Sequence, residues 1–164
     1  METLFEGLEV SEATDNAREL FSKFAARHNK WLNTTQQIWG VSSPYRSLGA
    51  LPEGALRTVA LRCLIEWHKR GVTPNTVYLQ RNEVGTCLAR HRDPFSDKHF
   101  TTILYLGDFV GSKLVVEGCG EVSCSPGKCV LLPCTVDGKQ GPYHWTTPHQ
   151  SGERWTLIMN HVRK

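Results

Sequence analysis

Between Ser11 and Leu32 the apolar residues Leu20, Phe21, Phe24, Trp31 and Leu32 recur at helical spacing, with Ala17 and His28 on the same side. Glu12, Asp15, Arg18 and Lys23 fall mostly elsewhere, so the spacing predicts one amphipathic helix over this stretch. A polar, turn-rich passage follows with Trp39, Gly40, Ser42, Ser43, Pro44 and Gly49, and it reads as a long ordered loop. A second helix is expected to open at Pro52 and Glu53 and to run through Leu56, Val59, Ala60, Cys63, Leu64 and Trp67. It should stop at Gly71, with Pro74 just beyond. Each helix is apolar along one side only, as an element laid against a sheet must be.

After Pro74 the texture changes to short β-branched or aromatic runs separated by Gly, Pro and Asp. Strands are predicted at Thr76–Asn82, Thr86–His91, Phe100–Leu106, Lys113–Glu117, Glu121–Cys124, Lys128–Leu132, Tyr143–Thr146 and Arg154–Val162. That many short strands in so little chain suggest a double-sheet jelly roll or a small barrel. In the first of them Val77 and Leu79 alternate with Tyr78, Gln80 and Asn82. The greasy face can take the two helices, and the polar face then looks into the barrel. The expected fold class is therefore α+β and mainly β, with helical support over 11–72 and a β core over 76–162.

A chain of 164 residues has the size of one domain, and a second is not expected. It can bury about two thirds of its unfolded surface, so stability requires neither disulfides nor a structural metal. No apolar run approaches the ~18 residues that cross a bilayer. Glu2, Glu6 and Glu9 stand where a signal peptide would carry basic residues and then a greasy stretch. An intracellular location, nuclear or cytoplasmic, and no membrane partner are expected. The formal charge of +3 permits a polyanionic partner without requiring one. Cys119, Cys124, Cys129 and Cys134 recur at a constant spacing of five, unlike a zinc motif, and are expected to be small buried strand residues with reduced thiols.

Chemistry enters at the strand ending Ala89-Arg90-His91-Arg92-Asp93-Pro94. His91 and Asp93 are two apart on extended chain, so an imidazole and a carboxylate leave one face and can reach one ion. Near the chain end His144 lies on a short strand, followed by a turn with Pro148 and Gly152 and then by Arg154 at the start of an apolar strand. With these residues in this order, the segment from about Tyr78 to Asn160 resembles the double-stranded β-helix core of the 2-oxoglutarate- and Fe(II)-dependent dioxygenases. That family's motif is His-x-Asp, a distal His, and an Arg or Lys about ten residues on. The resemblance implies an enzyme with Fe(II) on His91, Asp93 and His144 and the distal carboxylate of 2-oxoglutarate on Arg154, with dioxygen as co-substrate and ascorbate as a stimulant. Two imidazoles and one carboxylate on one face of an octahedron leave three positions, enough for a bidentate 2-oxo acid and dioxygen. Arg suits the carboxylate because its planar fork donates two parallel charge-assisted hydrogen bonds.

His149, His99 and His161 are the rival third ligands. His149 sits in the Pro-bounded turn and has no basic residue ten further on, and His161 lies past the apolar strand, which leaves His144. Thr156 shares the inward face of Arg154 and can reach the same carboxylate. By the same resemblance Tyr78, Gln80 and Asn82 supply side chains that hydrogen-bond the co-substrate. The run Arg-His-Arg-Asp-Pro with Ile103-Leu-Tyr-Leu-Gly-Asp-Phe-Val-Gly111 is most similar to the TET- and JBP-like branch, which oxidises the methyl group of a pyrimidine in DNA. Arg90, Arg92, Lys98 and Lys113 are expected around the barrel mouth, with Trp39, Tyr45 and Phe95 able to stack on an extruded base. DNA or RNA is thus one candidate partner. A protein side chain such as proline is the alternative substrate, and a non-catalytic binding module on the same barrel is a second class of function.

Overall fold

Two antiparallel sheets face one another, and two helices lie on the outer side of the larger. In the computed structural model residues 1–22, 27–29, 34–41, 51, 53–85, 88–92, 98–133, 135–136, 139–162 are described, and for 27–29, 34–41, 98–100, 135–136, 139–140 and 162 only the backbone. The chain runs β1 (Glu2–Phe5), α1 (Ser11–Phe21), β2 (Arg27–Asn29), β3 (Thr34–Val41), α2 (Ala55–Lys69), β4 (Thr76–Asn82), β5 (Leu88–His91) and β6 (Lys98–Gly107). It continues through β7 (Ser112–Val116), β8 (Gly120–Cys124), β9 (Cys129–Pro133), β10 (Thr135–Val136), β11 (Lys139–Gln140), β12 (His144–Thr146) and β13 (Arg154–Val162). The large sheet has the order β1-β9-β6-β13-β4-β3-β2 and the small one β5-β12-β7-β8, with β10 and β11 as a separate ribbon. This is a jelly roll. No described helix is long and apolar enough to cross a membrane.

The eight strands expected after Pro74 are all present within two residues of their predicted ends. The N-terminal third is less helical than its periodicity suggests. α1 ends at Phe21, and the backbone of Arg27–Asn29, inside the expected helix, pairs instead with β3. β3 in turn crosses the expected loop and pairs with β4 from Gln36↔Asn82 to Val41↔Val77. The physical reason is the open edge of β4, whose backbone groups need partners, and a run with Thr34, Thr35, Ile38 and Val41 that suits extended chain. β1 was also not foreseen; it closes the other edge by pairing with β9. Phe24, Trp31 and Leu32 lie outside the described residues.

β13 sits between β6 and β4, and its two faces have different tasks. Trp155, Leu157 and Met159 join Val77 and Leu79 of β4 and Leu104 and Leu106 of β6 in the main core. There they meet Ala13, Ala17 and Phe21 of α1 and Leu56, Val59, Ala60, Cys63 and Trp67 of α2. The rings of Phe21 and Trp155 are 5.0 Å apart. A smaller cluster of Tyr105, Phe109, Leu114, Val116, Cys124, Val130 and Leu132 fills the space between the sheets. Cys124 belongs to this inner cluster and Cys129 to the helix side, both buried as expected. Cys119 is exposed in the turn between β7 and β8, and Cys134 lies outside the described residues.

Polar contacts lock the helices in place. The Thr14 hydroxyl of α1 donates to Val10 O and accepts from Gly107 N at 2.9 Å, where β6 ends. Gly107 has φ +104°, and a Cβ there would run into the Glu153 carbonyl, so only glycine lets β6 pass this close to β13. On α2 the Glu66 carboxylate receives Arg62 at 2.7 Å, Lys69 at 3.0 Å and Arg70 at 3.3 Å. Its hydrogen bonds to Arg62 and Lys69, with Arg70 behind them, outweigh burial and lower its pKa to about 2. A depressed carboxylate stabilises the fold above its ordinary value of 4.5 and loses that contribution as pH falls toward about 2. Glu66→Gln should therefore cost about 1–2 kcal/mol at pH 7, given partners that are partly solvated. In thermal unfolding followed by circular dichroism, the difference from native should shrink between pH 4.5 and 2; a pH-independent difference would show that the carboxylate charge is not the source.

Candidate active site

The inward face of the large sheet is a grid of polar rows. Register pairs Arg154 with Asn82 and Gly107, Thr156 with Gln80 and Tyr105, Ile158 with Tyr78 and Ile103, and Asn160 with Thr76 and Thr101. The side chains expected on the polar face of β4 thus stand beside Arg154 and Thr156. Asn82 is buried, while Tyr78 and Gln80 are half-buried. Arg154 is only 3% exposed, so its guanidinium must be solvated by the protein. Its Nη1 crosses to the small sheet, donating to Ser112 Oγ at 2.8 Å and Thr147 O at 3.2 Å.

On the small sheet β5 and β12 pair His91 directly with His144. The two rings meet edge to face with centroids 4.4 Å apart, His144 buried and His91 half-buried. Each ring presents Nδ1 to a backbone carbonyl two residues earlier: His91 to Ala89 O at 2.7 Å and His144 to Pro142 O at 3.2 Å. A carbonyl only accepts, so each ring donates from Nδ1 in these bonds. That is the arrangement in which an outer hydrogen bond fixes the tautomer of a metal-binding imidazole. Asp93, the third expected ligand, lies outside the described residues. Among the described residues no cluster of three or more His, Cys, Asp or Glu forms.

His149 differs in kind. Its Nε2 faces Gly152 O at 3.0 Å, so Nε2 carries the proton and the lone pair is on a buried Nδ1 that has no partner. Burial, aided by the nearby Arg154 charge, lowers its pKa and keeps it neutral. His161 is turned to Thr73 O at 2.7 Å beyond the far end of the inner grid, and the His99 side chain lies outside the described residues.

Fe(II) and 2-oxoglutarate suit these residues on structural grounds. Two imidazoles paired across the sheet, each oriented through Nδ1, are donors appropriate to iron. Thr156 Oγ1 is buried without a hydrogen-bond partner, two residues from a buried guanidinium on the same face. An orphaned hydroxyl beside a cation is what a bound carboxylate would satisfy.

Comparison with solved structures decides the fold. Over 92% of its length the chain matches 79% of a 2OG-Fe(II) oxygenase family oxidoreductase from Burkholderia pseudomallei, with TM-score 0.60 and 14% identity. Over 99% it matches 96% of a viral collagen prolyl hydroxylase from Paramecium bursaria Chlorella virus-1, solved with 2OG, with TM-score 0.67 and 12% identity. The chain has the fold of the 2OG-Fe(II) oxygenases. That fold is not confined to one reaction: a predicted oxalate decarboxylase from Thermotoga maritima aligns over 87% of this chain and 96% of its own, with TM-score 0.52 and 9% identity. A scan of protein-family models and a search of curated proteins both find no match. Within this oxygenase fold, the pairing of His91 with His144 and the placement of Arg154 are features of this chain's own residues.

The expected basic rim is arranged differently from its sequence picture. Arg90, Arg92 and Lys113 alternate with the inward residues and occupy the outer face of the small sheet, not the barrel mouth, because strand parity sends them opposite to His91 and Leu114. Arg90 is paired with Glu117 at 2.7 Å and Lys113 with Glu121 at 2.7 Å. Arg90 and Arg92 both stack on Tyr143, at 3.7 and 4.6 Å from the ring centroid. The side chains of Lys98, Trp39, Tyr45 and Phe95 lie outside the described residues. Ser112 and Thr147, which hold Arg154, were missed from sequence, since their contact exists only once the two sheets are packed. The tautomers provide a direct check: in long-range nitrogen-proton NMR above pH 8, His91 and His144 should show Nδ1–H and His149 should show Nε2–H. The opposite assignment for either His91 or His144 would overturn the ligand geometry.

Proposed function

We infer that the chain is a 2-oxoglutarate- and Fe(II)-dependent dioxygenase that oxidises a C–H bond while 2-oxoglutarate is decarboxylated to succinate. The single observation that carries this reading is the register pair His91↔His144, with both rings oriented through Nδ1 on backbone carbonyls, facing an interior that also holds the buried Arg154. His91 and His144, with Asp93, would hold the metal. Arg154 and Thr156 would take the distal carboxylate of 2-oxoglutarate, with Tyr78, Gln80 and Asn82 lining the same wall. Bound iron and 2-oxoglutarate supply the oxidising power from dioxygen; the chain's own part is to fix imidazole tautomers, neutralise the carboxylate and exclude water from the polar grid.

For the substrate we favour a protein side chain, with proline first, because the likeness extends over almost the whole of a collagen prolyl hydroxylase. A pyrimidine in nucleic acid, the TET- and JBP-like reading, is the second candidate. It rests on the sequence runs 90–94 and 103–111, since Arg92 stacks on Tyr143 on the outer face of the small sheet and not at the barrel mouth. Arg90 and Lys113 contribute less to it, since Glu117 and Glu121 offset their charge.

Anaerobic Fe(II) followed by 2-oxoglutarate should produce a visible charge-transfer band in the native protein. His91→Ala and His144→Ala should abolish it, and His149→Ala should not. Arg154→Lys should retain iron and raise the 2-oxoglutarate requirement about tenfold or more, because a point charge does not reproduce the fork. Absence of the band in native protein would sink the reading in favour of a binding module. Mass spectrometry of proline-containing peptides and of methylcytosine oligonucleotides, each incubated with enzyme, Fe(II), 2-oxoglutarate and ascorbate, separates the two substrate classes by which one gains oxygen.

A further inference from the structure

We propose that Ser112 is a positioning residue for Arg154 and sets the affinity for 2-oxoglutarate; this rests on the function inferred above. Arg154 starts β13 on the large sheet, whereas Ser112 starts β7 on the small one, so their 2.8 Å contact is a strut across the interior. The Ser112 hydroxyl has one proton, and it is committed to Thr147 O at 2.8 Å. Its oxygen therefore faces Arg154 as an acceptor, and the direction of the whole chain of bonds is fixed. Thr147 is itself clamped to β7: its N–H donates to Lys113 O at 2.9 Å and its hydroxyl accepts from Lys113 N at 2.8 Å. The same carbonyl of Thr147 takes a second bond from Arg154 Nη1 at 3.2 Å.

Thr147 follows directly on β12, three residues beyond His144. The strut thus ties the arm that would take the co-substrate carboxylate to the strand that carries a candidate iron ligand. Ser112 is 4% exposed and stands opposite Cys124 in the β7–β8 register, so water has little access to replace its oxygen. An arginine has several rotatable bonds, and ordering it at the moment of binding costs affinity; holding Nη1 beforehand removes that cost.

Ser112→Ala removes the acceptor and the Thr147 bond together, and Ser112→Thr retains a hydroxyl at the same place. Calorimetric titration of 2-oxoglutarate into protein loaded with Mn(II) in place of iron should show about tenfold weaker binding for Ser112→Ala and near-native binding for Ser112→Thr. Mn(II) affinity should stay within about twofold in both, because neither His91 nor His144 is touched. Ser112→Cys, nearly isosteric and a poor acceptor, should behave as Ser112→Ala and serves if the alanine variant does not fold. In turnover the loss should fall on KM for 2-oxoglutarate with kcat little changed. If native protein binds 2-oxoglutarate and Ser112→Ala binds it equally well, Ser112 has no such role. If native protein does not bind it at all, the functional reading fails first and this proposal with it.

Discussion

The two-residue period of β13 is the constraint from which the rest follows. Because the strand lies between β4 and β6, its residues are hydrogen-bonded alternately to one neighbour and the other, and its side chains have no choice of face. Trp155, Leu157 and Met159 must then be large and apolar to take the helices. Arg154, Thr156 and Asn160 are thereby committed to the interior, where each needs a polar partner. Asn160 finds Thr101 Oγ1 at 2.7 Å, and Arg154 finds the small sheet. A slip of one residue would bury the guanidinium among helix side chains and turn Trp155 into the barrel.

That same parity explains what the sequence could and could not disclose. From Thr76 onward, alternation, turn residues and β-branching all favour extended chain, and the strands there were visible except for the two-residue β10 and β11. Val77 and Leu79 were correctly assigned to the helices and Tyr78, Gln80 and Asn82 to the interior. Before Pro74 the helical spacing that takes in His28 misled, because a period of side chains says nothing of an unpaired sheet edge elsewhere in the fold. β3 is extended because β4 offers it backbone partners, a tertiary fact that local pattern does not contain.

In the candidate site His91, His144, Arg154 and Thr156 were legible from spacing joined to a family resemblance, and the structure gathers them into the interior or its edge. The tautomers were not legible, since they depend on where the Ala89 and Pro142 carbonyls point. Nor were Ser112 and Thr147, which are unremarkable polar residues until the sheets face each other. The basic residues show the opposite error: proximity in sequence to His91 suggested a common rim, while alternation placed Arg90 and Arg92 on the outer face against Tyr143 and Glu117.

The helices lean on one sheet only, and this gives the molecule an uneven resistance to local opening. β4, β6 and β13 are sealed by the main cluster with both helices, whereas β7 and β8 contribute only to the smaller cluster between the sheets and β5 and β12 contribute to neither. Backbone groups protected by fewer buried contacts exchange and fluctuate more readily. The imidazole pair therefore belongs to the softer cooperative unit and the guanidinium to the harder one. Whatever enters between them meets a firm wall on one side and, on the other, strands free enough to adjust their spacing around it.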